Sequence, residues 1–158
     1  RGPIKSPGVA SSYLFAKKFV PEITDFHYLS NANNIFFISI DKTAPGQGLA
    51  AGERLGKFNP VAKIVVVLDR DVDLMDLSQV MAAISSRWQP DPAARIFANL
   101  PGLPLDPSQR DPNKTSKIII DATRQLPGEG GPAAFPKSNR SLLEALAPDA
   151  FARVDAKW

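Results

Sequence analysis

The chain contains no cysteine among its 158 residues. That excludes a disulfide framework, a thiol nucleophile and any thiolate metal site. It has one histidine, His27, so a catalytic triad or a multi-histidine zinc centre would have to pivot on that residue. His27 falls between Phe26 and Tyr28 in an expected strand, a setting that favours a packed or surface imidazole over a general base. No run approaches the ~20 consecutive apolar residues of a membrane helix, and Arg1-Gly2-Pro3-Ile4 lacks the apolar core of a signal peptide. We therefore expect no membrane partner and a cytoplasmic setting. Charge of one sign is also scarce: 19 Lys+Arg stand against 16 Asp+Glu, a net +3. Lys17-Lys18 is the only adjacent basic pair. Nucleic-acid surfaces cluster basic side chains and interleave aromatics, so no nucleic-acid partner is expected.

What is present is globular in proportion. Apolar residues make up 44% and charged residues 22%, which excludes wholesale disorder. The length suits one domain able to bury roughly two thirds of its unfolded surface. The 15 prolines crowd between Pro90 and Pro136 and near the beginning, predicting irregular segments laid over a compact core.

Residues 1–8 (RGPIKSPG) read as a linker, or the tail of a missing upstream region. Val9, Leu14, Phe15 and Phe19 predict a short amphipathic helix ended by Pro21. Strands over 23–28 and 35–41, separated by Leu29-Ser30-Asn31-Ala32-Asn33-Asn34, predict an antiparallel hairpin, the second strand covered on both faces. A helix is expected over 49–55. Lys63-Ile64-Val65-Val66-Val67-Leu68 is the clearest element: a β-branched run without alternation marks a strand buried on both faces. Leu77, Val80, Met81, Ile84 and Trp88 then form one apolar stripe of a helix. Asp76, with Gln79 three residues on, resembles its capping box. Strands over 95–99 and 117–121 follow, separated by a long loop. A Gly/Pro segment (127–136) and helices near 141–146 and 148–158 complete the chain. The expected fold is α/β: a single domain whose mixed sheet has a central buried strand (63–68) flanked by helices.

The residues alone offer no self-contained catalytic set. Asp69, Asp71 and Asp73 have the odd spacing that begins a calcium loop, but the required Gly and distal Glu are missing. The competing reading is that they turn the chain and cap the next helix. Gly46-Gln47-Gly48 matches neither the Walker pattern nor GxGxxG, and reads as the opening of the helix at Leu49. No metal site and no acid/base pair is assigned.

Five stretches, in order, resemble the UbiD-type decarboxylases. Pro21-Glu22-Ile23-Thr24-Asp25 is similar to that family's PEIVD strand, and Asp41-Lys42 to Pro45-Gly46-Gln47 to its KxxPGQ turn. Lys63 through Asp73, with the helix ending at Arg87 and Trp88-Gln89-Pro90, resembles its buried strand, acidic turn and helix. Leu103-Pro104-Leu105-Asp106-Pro107-Ser108 resembles its LDPS loop. Ser116-Lys117 to Asp121-Ala122-Thr123 resembles its SKxxxDAT strand. The resemblance covers roughly 21–123, and implies that residues 9–126 are the family's C-terminal α/β domain and 127–158 an appended segment. The family decarboxylates aromatic or α,β-unsaturated acids reversibly and without oxidation, using prenylated FMN supplied by a flavin prenyltransferase. Its flavin-binding domain, manganese and potassium site and Glu–Arg–Glu set lie upstream of the matched part, so the resemblance assigns no catalytic residue here and implies an isolated chain without activity.

The resemblance further implies a homo-dimer or hexamer and a domain that closes over the active-site cleft. Lys57, with Lys63 as runner-up, matches a lysine that reaches the cofactor phosphate. The alternative is a solvated lysine at the start of a strand. Leu103 and Leu105, with Asn59, match positions lining the substrate pocket. The alternative for the leucines is that they plug this domain's own core. Two further functions stand beside the first: a non-catalytic interaction subunit of a multi-subunit carboxylase or decarboxylase, and a small enzyme built on His27.

Overall fold

The computed structural model of the chain describes residues 7–135 and 145–156. Its order is α1 (Pro7–Phe19), β1 (Ile23–Leu29), β2 (Ala32–Ile40), α2 (Gln47–Phe58), β3 (Ile64–Asp69), α3 (Leu77–Arg87), β4 (Ala94–Pro101), β5 (Lys114–Asp121), a 3-10 turn (Pro127–Glu129) and α4 (Asp149–Asp155). The five strands form one mixed sheet in the order β1-β2-β3-β5-β4. β1 and β2 make the expected hairpin around Ser30-Asn31, while β3 runs parallel to β2 on one side and to β5 on the other. β1 and β4 are the two edge strands, β4 antiparallel to β5.

The uninterrupted Val65–Leu68 run is buried in the middle of this sheet, as a strand covered on both faces must be. On one face α1 and α2 enclose Phe26, Phe36, Ile38, Leu55, Val65, Val67 and Ile119. On the other, α3 covers Phe37, Val66, Leu68, Val72 and Leu74. The expected α3 stripe is turned from its predicted heading: Val80 and Ala83 are buried and Ile84 and Trp88 pack beside them, whereas Leu77 and Met81 are about half exposed. One helix cannot roof the whole face, so the leading edge of its stripe overhangs. Asp76 caps α3, its Oδ1 accepting from Ser78 N at 2.9 Å and Gln79 N at 3.3 Å. Gln79 Oε1 does not return to the Asp76 amide but accepts from Asp73 N at 3.2 Å.

α2 extends beyond its expected ends, and Gly46 before it has φ 74°, a left-handed conformation that glycine adopts without strain. Within α2, Gly48, Gly52 and Gly56 recur every four residues and so lie on one face. That face lies flush on β5: a Cβ at Gly48 would overlap the Asp121 carboxyl, one at Gly52 the Ile119 Cγ2 methyl. α1 begins at Pro7, and residues 1–6 lie outside the described residues, as does most of the helix expected over 141–146. Among the described residues, no helix is long and apolar enough to cross a membrane.

Candidate functional site

α2 ends where β3 begins, and the parallel pairing of β3 with β5 puts the start of β5 at the same end of the sheet. The β4–β5 connection returns there too, since Leu100 pairs with Thr115. Lys57, Asn59, Lys63, Leu103 and Leu105 are thereby gathered at one end of the sheet, although 48 positions separate the first from the last in sequence.

Lys57 lies in the last turn of α2, with its side chain 45% exposed. Its Nζ is 3.4 Å from Glu53 Oε2 and 4.7 Å from the centre of the Phe97 ring. Glu53 is shared with Arg95, so the ammonium is only loosely held. Lys63 is committed: its Nζ donates to Asp106 Oδ2 at 2.9 Å and Oδ1 at 3.2 Å, and to Ser108 Oγ. The Lys63 hydrogen bond, followed by those of Ser108, holds the Asp106 carboxyl down at about 2. Lys63 thus latches the 103–108 loop to the foot of β3. Asn59 Oδ1 accepts from Val61 N at 2.9 Å and Ala62 N at 3.3 Å, making the turn between α2 and β3. Leu105 is 88% exposed and Leu103 37%. Neither leucine plugs the core of this domain, and an exposed leucine pair on a latched loop is a surface fit for an apolar ligand or a partner.

This end also holds a lysine that the sequence presented only as part of a strand motif. Lys117, on the α2 side of β5, is 1% exposed, and its Nζ donates to the backbone oxygens of Gly56 at 2.9 Å and Asn59 at 2.6 Å. Burial draws its pKa down to about 8. Among the described residues no carboxylate pairs with it. The signal in the sequence was a lone lysine at an inward position of an isoleucine-rich strand.

The opposite end of the sheet is a charge lattice. Lys42, almost wholly buried, bridges Glu129 at 2.6 Å and Asp121 at 3.5 Å. Glu129 also accepts from Gly46 N at 2.7 Å, tying the Pro45-Gly46 turn to the 3-10 turn. Burial would raise the Glu129 pKa, but the Lys42 hydrogen bond and two backbone amides outweigh it and hold it low. Arg87 donates to Asp69 at 2.6 Å and Asp71 at 3.0 Å; Arg124 contacts Asp71 as well, and its backbone amide donates to Asp69 at 2.9 Å. Burial acts to raise the Asp71 pKa, and the two arginines more than reverse it. Asp69 and Asp71 are thus engaged by arginines at the turn after β3, and Asp73 Oδ1 accepts from Met75 N. Among the described residues no cluster of three or more metal-ligating side chains occurs. An open cleft of 1470 Å³ lies at this end, between α3 and the 124–135 segment, but its arginines, Arg87 and Arg124, are spent on those aspartates. His27 is half-buried on the outer strand β1, opposite Phe37.

Comparison with known proteins agrees with this architecture. Residues 5–122 match the family profile of the 3-octaprenyl-4-hydroxybenzoate carboxy-lyase C-terminal domain. The phenolic acid decarboxylase of Sedimentibacter hydroxybenzoicus is 47% identical over 73 residues, 46% of this chain and 15% of that protein. The closed-form structure of the vanillic acid decarboxylase from the same organism superposes with a TM-score of 0.69 at 31% identity, over 85% of this chain and 30% of the other. The UbiD-class enzyme HmfF of Pelotomaculum thermopropionicum, solved in complex with FMN, gives 0.65 at 27% identity, over 85% and 31%. The chain thus spans under a third of the length of each of these relatives.

Proposed function

This chain belongs to the family of 3-octaprenyl-4-hydroxybenzoate carboxy-lyase C-terminal domains, and from that premise we propose that it is the cleft-closing and assembly domain of a flavin-dependent decarboxylase. Residues 9–126 form the domain, residues 1–8 lead in from an upstream flavin-binding portion, and 127–158 are an appended segment. Its substrate is an aromatic or α,β-unsaturated carboxylic acid, a class supported by the phenolic and vanillic acid decarboxylases among its relatives. The enzyme works in the cytoplasm as a homo-dimer or hexamer. Its cofactor, prenylated FMN, comes from a flavin prenyltransferase, and manganese and potassium bind with it upstream. When bound, that flavin supplies the electron sink for loss of CO2; the chain described here binds, orients and excludes water.

One observation carries the reading: a loosely held cation and exposed leucines converge at one end of the sheet. Lys57 suits a phosphate because, among the described residues, its one carboxylate neighbour is a shared one at 3.4 Å. Lys63 is the lesser candidate, since reaching a phosphate would mean leaving Asp106. Leu103 and Leu105 would form an apolar wall, with the amide nitrogen of Asn59 as a polar point beside them.

The test is flavin binding by the full-length gene product carrying Lys57→Ala. Losing a half-exposed charged contact should weaken FMN roughly tenfold, and leave riboflavin, which lacks the phosphate, unaffected. Unchanged FMN affinity would remove Lys57 from the site. Decarboxylation by the isolated 158-residue chain supplied with prenylated FMN would refute the assignment of chemistry to the upstream portion.

A further inference from the structure

We propose that Lys117 is a positioning residue, which sets the direction in which Lys57 leaves α2 and so aims it at the cofactor phosphate. The inference rests on the reading of Lys57 given above, and adds to it a residue buried beneath the site.

Three observations lead to it. The Lys117 ammonium grips the carbonyls of Gly56 and Asn59, one on each side of Lys57. Gly56 also lets this end of α2 lie close on β5, since a Cβ there would stand 2.8 Å from Ile119 Cδ1. Lastly, a fully buried lysine with no carboxylate partner is a costly way to build a helix end. Asn59 already closes the turn through Val61 and Ala62, and its own amide completes α2 through Leu55 O at 3.0 Å. A helix C-terminus does favour a cation, but the solvent-facing Lys57 in the same turn satisfies that preference without desolvation. What only Lys117 adds is a fixed backbone on both sides of Lys57. Fixing a binding group before its ligand arrives removes an ordering cost from binding.

The experiment measures FMN and riboflavin affinities of the full-length protein bearing Lys117→Met, Lys57→Ala, or both, with thermal melts to verify folding. The proposal expects Lys117→Met to weaken FMN about tenfold while riboflavin affinity stays within twofold. It further expects the double variant to be no worse than Lys57→Ala alone, because Lys117 acts only through Lys57. If Lys57→Ala weakens FMN and Lys117→Met does not, positioning is wrong and the reading of Lys57 survives. If Lys57→Ala has no effect, both fall. Equal losses of FMN and riboflavin mark Lys117 as merely structural and overturn the proposal. Should the Met variant not fold, Lys117→Leu, which likewise removes the donor, replaces it in the same comparison. Failure of both to fold assigns Lys117 to the core alone and also overturns it.

Discussion

Replacing Gly52 by alanine puts the close seating of α2 on the sheet to a direct test. In a helix interior the change alone should stabilise, since alanine is favoured over glycine by about 1 kcal/mol. Here the new methyl would overlap Ile119 Cγ2 and stand 3.0 Å from Val67 Cγ2. Both partners are fully buried, and both methyls sit on β-branched carbons that a side-chain rotation cannot clear. Overpacking of this kind costs about 1–3 kcal/mol. The balance runs from near zero to a net loss of about 2 kcal/mol, up to roughly 8 °C in Tm for a chain of this size. Gly56→Ala is the internal control. It gains the same propensity but meets only the terminal Cδ1 of Ile119, at 2.8 Å, which can swing away, so its loss should be visibly smaller. The decisive measurement is urea unfolding of Gly52→Ala in an Ile119→Ala background. With the obstructing methyl gone, the substitution should turn stabilising by up to about 1 kcal/mol, a coupling of about 1–3 kcal/mol between the two sites. A Gly52→Ala effect of the same sign in both backgrounds would refute the close-approach argument.

Two further predictions concern the end of the sheet where Lys57 lies. Lys117 has a pKa of about 8 in the folded chain against 10.5 unfolded. Between those values the unfolded chain holds a proton that the folded one has released, so stability contributed by this group rises with pH across that window. The wild type should gain up to about 3 kcal/mol relative to Lys117→Met between pH 8 and 10.5; a flat difference in denaturant midpoints would contradict it. Asp106, held at about 2 by Lys63 and Ser108, should return toward the ordinary carboxylate range in Lys63→Met when its carboxyl carbon is followed by NMR. The stabilisation it gives the loop is present above the unfolded pKa near 4 and lost as pH falls toward 2.

Local chemistry made much of this molecule legible in advance. The Val65–Leu68 run announced a doubly covered strand because it has no alternation, and Asp76 announced a helix start because its carboxylate can accept the first free amides. Strand order was hidden, because nothing in the 114–121 segment says that it will lie beside β3 while β4 is pushed to the rim. The candidate residues Lys57, Asn59, Lys63, Leu103 and Leu105 came from resemblance, and their meeting at one end depends on that strand order. Lys63 and Asp106 could be told apart from free charges only once they were seen paired. The four-residue spacing of Gly48, Gly52 and Gly56 was in plain view, but with Gly48 read only as part of the helix opening its packing role stayed invisible until β5 lay against it. Lys117 was obscured by the same circumstance: its carbonyl partners lie about sixty positions away.

The placement of β5 also bears on how the chain is made. β5 is the last of these five strands to leave the ribosome, yet it stands between β3 and β4, which share no pairing without it. Until Lys114–Asp121 emerges, the exposed flank of β3 and the whole of β4 have no partner, and the glycine face of α2 rests on β3 alone. A nascent chain halted before Lys114 should therefore stay protease-sensitive, and acquire resistance in a single step once that strand slots into the gap.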